Sequence, residues 1–128
     1  MIDLYKLLIV GLGGFIGAIG RYAVSGWIQS LSKSPWYPFG TLGVNFIGCL
    51  LIGFLGGLVK NKELFQSGTR LFLLVGLLGA FTTFSTFGYE TFSLLRGGQF
   101  LLAGGNVAAQ VILGLIGVWL GFTLSNLV

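Results

Sequence analysis

The sequence predicts an all-α integral membrane protein of four transmembrane helices. One observation is composition: the chain is 55% hydrophobic and 8% charged, with mean hydropathy +0.96, far from the mix of a soluble domain. The other is spacing: three short polar intervals separate four long apolar runs. A hydrocarbon core about 30 Å thick takes roughly 20 helical residues to cross. Four crossings therefore use nearly all of the 128 residues, and residues 1–128 form a single transmembrane domain with no room for a soluble catalytic one.

The expected spans are about Leu7–Leu31, Phe39–Val59, Arg70–Leu95 and Phe100–Val128. The first follows a single lysine, Lys6, but its apolar stretch is long and lacks a small-residue cleavage site. It reads as a retained helix rather than a signal peptide. The first connection, Ser32–Pro38, carries both prolines and Lys33. The second, Lys60–Thr69, holds Lys60, Lys62 and Glu63, and the third, Arg96–Gln99, is a tight turn containing glycine. Tyr5, Trp27, Trp36 and Tyr37 fall near the expected interfaces, where amphipathic rings anchor membrane helices.

Several function classes are disfavoured at once. Seven basic and three acidic side chains are too few for a nucleic-acid footprint. Histidine is absent, which removes the commonest metal ligand and the commonest general base near neutral pH. Cys49 stands alone in an apolar run and forms no intrachain disulfide. Acid–base and metalloenzyme chemistry have little to work with, so an enzyme is not expected.

Four crossings place both termini and the second connection on one side, with Lys6, Lys60, Lys62 and Arg70. The other side holds Lys33 and Arg96, while Arg21 lies within the first span. This is a weak bias under the positive-inside rule. It fits one fixed orientation, and equally a dual topology in which copies insert both ways and pair antiparallel. Small-residue pairs (Gly13 and Gly17, Gly53 and Gly57, Gly117 and Gly121) allow close helix packing in lipid, where the hydrophobic effect does not drive helices together. Four helices are too few to enclose a polar path alone, so a homodimer is expected.

Polar groups in hydrocarbon are costly and invite a functional reading. The third span begins as a plain apolar run, Leu71–Leu78, and then changes character over Gly79–Glu90. At 100° per residue, Thr82, Thr83, Thr86, Glu90 and Ser93 share an arc of roughly 100°, with Phe84 and Phe87 along one border. Such a stripe suits a polar path. It also suits hydroxyls that simply bond back to the carbonyl four residues earlier. Gly76 and Gly79 followed by Thr82-Thr83 make a plausible break, at which freed carbonyls would suit a cation such as sodium. A glycine-rich helix that stays continuous fits the spacing as well.

Elsewhere, Thr41 and Asn45 share a face of the second span, and Asn106 and Gln110 share one on the fourth. Each pair fits interhelical hydrogen bonding as well as a path lining. Arg21 would pair with Glu90, snorkel to the interface, or draw anions toward a pore mouth. Together the candidates are an arginine, amides and hydroxyls, with the positively polarised edges of aromatic rings. Those groups favour a small anion over a cation.

The chain resembles a known family at three places in order. Thr82-Thr83-Phe84-Ser85-Thr86-Phe87, within Gly79–Glu90, resembles the third-helix signature of the Fluc (CrcB-type) fluoride channels. Gly13–Tyr22 resembles their first-helix motif, and Gly40-Thr41-Leu42-Gly43-Val44-Asn45 their second-helix motif. The resemblance covers essentially the whole chain. It implies an antiparallel, dual-topology homodimer in the bacterial plasma membrane, conducting fluoride passively through two pores. Under it, Phe84 and Phe87 match the paired pore phenylalanines and Asn45 the pore asparagine, with Ser85 and Thr86 in the hydroxyl-bearing segment beside them. Asn106 is aligned with a fourth-helix pore position where some relatives carry serine. Gly79 and Thr82 match the residues whose carbonyls hold a central structural Na+. Arg21 matches the arginine near the vestibule, and Glu90 the third-helix glutamate.

Two other classes compete. A small multidrug exporter also has four helices, but it relies on a first-helix carboxylate where this span carries Arg21. A non-transporting assembly or scaffold subunit would use the polar stripe as packing glue.

Overall fold

The computed structural model describes residues 3–62 and 65–128. Glu63, placed by the sequence in the second connection, lies outside the described residues. Among those residues there are helices and turns and no strand. Four helical spans are long and apolar enough to cross a membrane: Leu4–Ser32, Phe39–Lys60, Ser67–Arg96 and Phe100–Ser125. The boundaries differ from the sequence expectation by three residues or fewer. Helix α1 (Leu4–Ser32) begins early since the Asp3 carboxylate accepts from the Tyr5 N–H at 3.1 Å, a side-chain N-cap.

The connection from α1 to α2 (Phe39–Lys62) is pinned by Gln29. Its Nε2 donates to the Ser34 and Tyr37 carbonyls at 2.7 and 3.1 Å, and its Oε1 accepts from the Gly40 N–H at 2.9 Å. One carboxamide thus satisfies two loop carbonyls and one of the first-turn N–H groups that a helix leaves orphaned. Lys33, at φ 51°, turns the chain out of α1. Between Arg96 and Phe100, Gly98 takes φ 73°, a left-handed conformation suited to glycine.

The third span is composite. It runs through α3 (Ser67–Arg70), a π-helical segment (Leu71–Leu78), α4 (Gly79–Phe81) and α5 (Phe84–Arg96). Between α4 and α5 the backbone is extended, with Thr82 at φ −90°, ψ 159° and Thr83 at φ −149°, ψ 117°. The break expected from Gly76, Gly79 and the threonine pair is present, and it falls at the β-branched residues rather than at the glycines. The wider π winding just before it is a geometry often found near functional sites.

Two glycine seams hold the bundle. Helix α1 packs along the π segment, and α2 along α6 (Phe100–Ser125). A methyl on Gly13 or Gly17 would run into backbone of the π segment at Phe72, Gly76 and Leu77; one on Gly53 or Gly121 would run into backbone at Val118, Leu50 and Phe54. Backbones this close gain dispersion contacts over their whole length, the form of helix association available in lipid. The few buried apolar side chains, such as Val44 and Leu78, sit within these layers. Most large apolar residues face outward, as lipid or a second copy would require.

Candidate functional site

Two cavities share Thr83 as a lining residue. The larger, about 790 Å³, is a vestibule walled by α1, the 33–38 connection, the start of α2 and the length of α5. Arg21, Thr41, Thr86 and Glu90 face it. The smaller, about 360 Å³, is a groove bordered by α2, the π segment and α6, with Gly79, Thr82, Phe84 and Phe87 along it. The break is therefore where a polar chamber and an aromatic groove come together.

Asn45 secures that break. Its Oδ1 accepts from the Thr83 N–H at 2.8 Å, and its Nδ2 donates to the Thr83 carbonyl at 3.1 Å and to Gln110 Oε1 at 3.0 Å. A side chain on α2 thus takes both backbone groups of one extended residue, as a neighbouring strand would. In a continuous helix the Thr83 N–H would reach back to the Gly79 carbonyl; here it is diverted to Asn45. The Thr82 carbonyl receives no hydrogen bond among the described residues. Thr82 Oγ1 donates to the Leu78 carbonyl at 3.0 Å, the back-bonding pattern common for threonine in apolar helices.

Thr83 also starts the second half of the span. Its Oγ1 accepts from the Thr86 N–H at 3.2 Å and donates to Thr86 Oγ1 at 2.9 Å, with Ser85 Oγ 3.4 Å away. Three hydroxyls therefore cluster at the positive end of the α5 dipole. Phe84 and Phe87 stand one turn apart with ring centroids 5.5 Å apart, edge to face, which presents a positively polarised ring edge. Phe84 is 83% exposed, so it projects from the subunit surface.

In the vestibule, Thr41, nearly buried, donates to Glu90 Oε1 at 2.7 Å, and Glu90 Oε2 is shut off from solvent with no partner among the described residues. Arg21 lines the same chamber but forms no ion pair with Glu90. Of the pairings open to Arg21, the one with Glu90 is absent. At the rim, burial raises the Tyr37 phenol above its usual range, so it stays a neutral hydroxyl at physiological pH.

The polar arc expected on the third span is divided by the break. Thr83, Thr86, Glu90 and Ser93 line the vestibule, while the extended backbone turns Thr82 into the groove. Asn106 is fully buried, donates to Thr91 Oγ1 at 2.9 Å, and borders neither cavity. The fourth-helix residues that reach the groove are Val111 and Gln110, the latter singled out by the sequence only for sharing a face with Asn106. The fourth-helix signal was present; its register against α2 was not.

Fold and site together define a multi-pass membrane protein whose broken third span joins a polar vestibule to an aromatic groove. Residues 8–122 match the family described as CrcB-like protein, Camphor Resistance (CrcB), and the chain belongs to that family. It is 44% identical over 122 residues to a Methanosarcina barkeri protein named fluoride-specific ion channel FluC 3, covering 95% of this chain and 91% of that one. It is 41% identical over 124 residues to a fluoride-specific ion channel FluC of Methylobacillus flagellatus, covering 97% of each. A Chloroflexus aurantiacus protein of the same name is 45% identical over 121 residues, covering 94% of this chain and 95% of that one. These relatives are named as ion channels, and the family is not one of enzymes.

The Thr41–Glu90 bond spans two helices and yields a direct test. Thr41→Val is expected to lower the thermal midpoint of the detergent-solubilised protein. In a Glu90→Leu background the same change should cost little. The coupling expected from the double-mutant cycle is about 1–3 kcal/mol, followed by gel filtration after graded heating. Equal costs in both backgrounds would remove the bond from the account.

Proposed function

We propose that this protein is a passive, fluoride-selective channel that exports fluoride and so confers resistance to it. The observation that carries the reading is the meeting of the vestibule and the aromatic groove at Thr83, together with the relatives' names. Fluoride is small and tightly hydrated, so a narrow path must replace its water with fixed donors while binding weakly enough to release the ion. Arg21 supplies positive potential at the vestibule. The hydroxyls of Thr83, Ser85 and Thr86 lie at the α5 N-terminus, where the helix dipole favours an anion. Beyond them the Phe84 and Phe87 edges continue the path.

The working unit is an antiparallel homodimer of dual topology with two pores. One subunit leaves Phe84 on its surface and the groove open, so a second copy completes the wall. Gly79 supports the same reading: an added methyl would meet only the Leu74 carbonyl, at 3.8 Å, so crowding within the subunit does not account for a glycine there. Close approach of a second copy does.

A structural Na+ at the centre of the dimer is the third part of the proposal. Carbonyl oxygens suit a hard monovalent cation, and the Thr82 carbonyl lacks a donor while the Gly79 carbonyl has lost its helical one. The residues present therefore fit the ion. Gly79 and Thr82 would hold it, and its charge would favour anions nearby.

Three measurements check these parts. Liposomes holding the purified protein should release fluoride rapidly and retain chloride, read with ion-selective electrodes. Phe84→Ile and Phe87→Ile should each slow fluoride release by about tenfold or more, the scale of 1–2 kcal/mol of lost ring-edge stabilisation, with the dimer intact. Replacing sodium by an organic cation should lower the thermal midpoint, and added sodium should restore it in a concentration-dependent way; a midpoint indifferent to sodium counts against the site. In a Cys49→Ala background, Lys33→Cys should be labelled from both faces of the membrane in comparable yield, whereas labelling from one face alone would refute dual topology.

A further inference from the structure

Asn45 holds one end of a peptide group at the break, and the same turn of α2 holds the other end by shape. The Thr82 carbonyl and the Thr83 N–H belong to a single planar, trans peptide, in which they point in opposite directions. Because the Thr83 N–H is bound by Asn45 Oδ1 at 2.8 Å, the Thr82 carbonyl is aimed away from Asn45. It receives no hydrogen bond among the described residues. A bond at the N–H leaves the Thr82 end of the plane free to swing. The direction of the oxygen therefore depends on how the Thr82 Cα and side chain are seated.

Gly48 seats them. It is buried, follows Asn45 by three residues on α2 and borders the groove with Thr82. A methyl added at Gly48 would run into Thr82 Cγ2 and stand 3.6 Å from Thr82 Cβ and Phe81 Cδ1. The Thr82 methyl thus fills the place that a side chain at 48 would take. It cannot rotate out, because the other branch is committed. Thr82 Oγ1 donates to the Leu78 carbonyl at 3.0 Å, and a β-branched side chain turns both branches together about χ1. At Gly13, Gly17, Gly53 and Gly121 the obstacle to a methyl is backbone of a packed helix; at Gly48 it is a side chain of the break itself.

Resting on the sodium reading above, we infer that Gly48 is a positioning residue for the Thr82 carbonyl. Its missing side chain is a notch that locks the Thr82 methyl. Together with Asn45 it clamps both ends of one peptide plane, so that the freed oxygen keeps a fixed aim at a hard monovalent cation. Gly48 touches no ion and acts through Thr82. A methyl at 48 would force either the loss of the bond to Leu78 or a shift of the Thr82 backbone. A ligand group displaced by more than about 0.5 Å no longer serves its ion well.

The test is the thermal midpoint of the detergent-solubilised protein as a function of sodium concentration, with ionic strength held constant by an organic cation. The concentration dependence gives the half-saturating sodium, while the sodium-free midpoint reports packing separately. Gly48→Ala should raise the half-saturating sodium by about tenfold to a hundredfold, the usual effect of losing a group that orients a metal ligand. Adding Thr82→Ser removes the obstructing methyl and keeps both the hydroxyl and the carbonyl, so the double variant should recover most of the lost affinity. Thr82→Ser alone empties the notch and should bind sodium more weakly than the double variant; this comparison decides the matter if Gly48→Ala does not fold. Wild-type half-saturation in Gly48→Ala, even with a lowered sodium-free midpoint, would overturn the assignment and leave Gly48 a packing residue. A double variant that binds sodium no better than either single variant would overturn it too. A folded wild-type protein whose midpoint ignores sodium would overturn the sodium reading and this inference with it.

Discussion

A membrane helix that unwinds at Thr82–Thr83 leaves peptide groups without the water that would satisfy them in a soluble protein. Each such group costs several kcal/mol in hydrocarbon, so the break exists only because something takes those groups in. Asn45 takes two of them on one carboxamide, and Thr83 Oγ1 takes the Thr86 N–H. What remains is the Thr82 carbonyl and a Gly79 carbonyl deprived of its helical donor. The cost of breaking the helix is thereby concentrated at one point, on oxygens that suit a cation, while the α5 N-terminus just beyond suits an anion. One discontinuity supplies both kinds of site.

The glycine seams make that arrangement rigid. With Gly13 and Gly17 against the π segment, and Gly53 and Gly121 locking α2 to α6, the first half of the third span and the α2–α6 pair are held by backbone contact. The break and α5 are tied on by side chains, Asn45 to Thr83, Thr41 to Glu90 and Asn106 to Thr91. Asn45 on α2 and Gln110 on α6 are brought into register by the second seam. A hydrogen-bonded path needs its donors placed to within a few tenths of an ångström, and close-packed backbones can hold such tolerances. The vestibule is set by different means: Gln29 ties the 33–38 connection to the first turn of α2, and the same turn presents Thr41 to Glu90.

Much of this was legible in the residues alone. Hydropathy and the three polar intervals located four spans, since the length needed to cross hydrocarbon leaves few alternatives. Glycine spacing identified both seams: Gly13–Gly17 lies in one, and Gly53–Gly57 with Gly117–Gly121 in the other. The change of character after Leu78 marked the hydroxyl cluster and offered a break at the threonine pair that a continuous helix would have fitted as well. These features are local or periodic, and a periodic signal survives without knowledge of neighbours.

What the sequence could not decide is who bonds to whom. A continuous helix at 100° per residue put Thr82 and Thr83 on one arc, but extended backbone at both residues leaves Thr82 on the groove alone and Thr83 at the junction of groove and vestibule. Asn106 and Gln110 sit one turn apart on the same face, and only the depth at which α6 packs buries the first against Thr91 and delivers the second to Asn45. Arg21 and Glu90 were equally open to an ion pair, yet Thr41 holds the carboxylate instead. The sequence by itself determined that this chain crosses the membrane four times with a hydroxyl-bearing third helix, because apolar length and residue type are properties of the chain. Tertiary structure decided which polar groups are spent on the fold and which are left for an ion, because hydrogen bonding is pairwise and a donor's fate depends on the helix packed beside it.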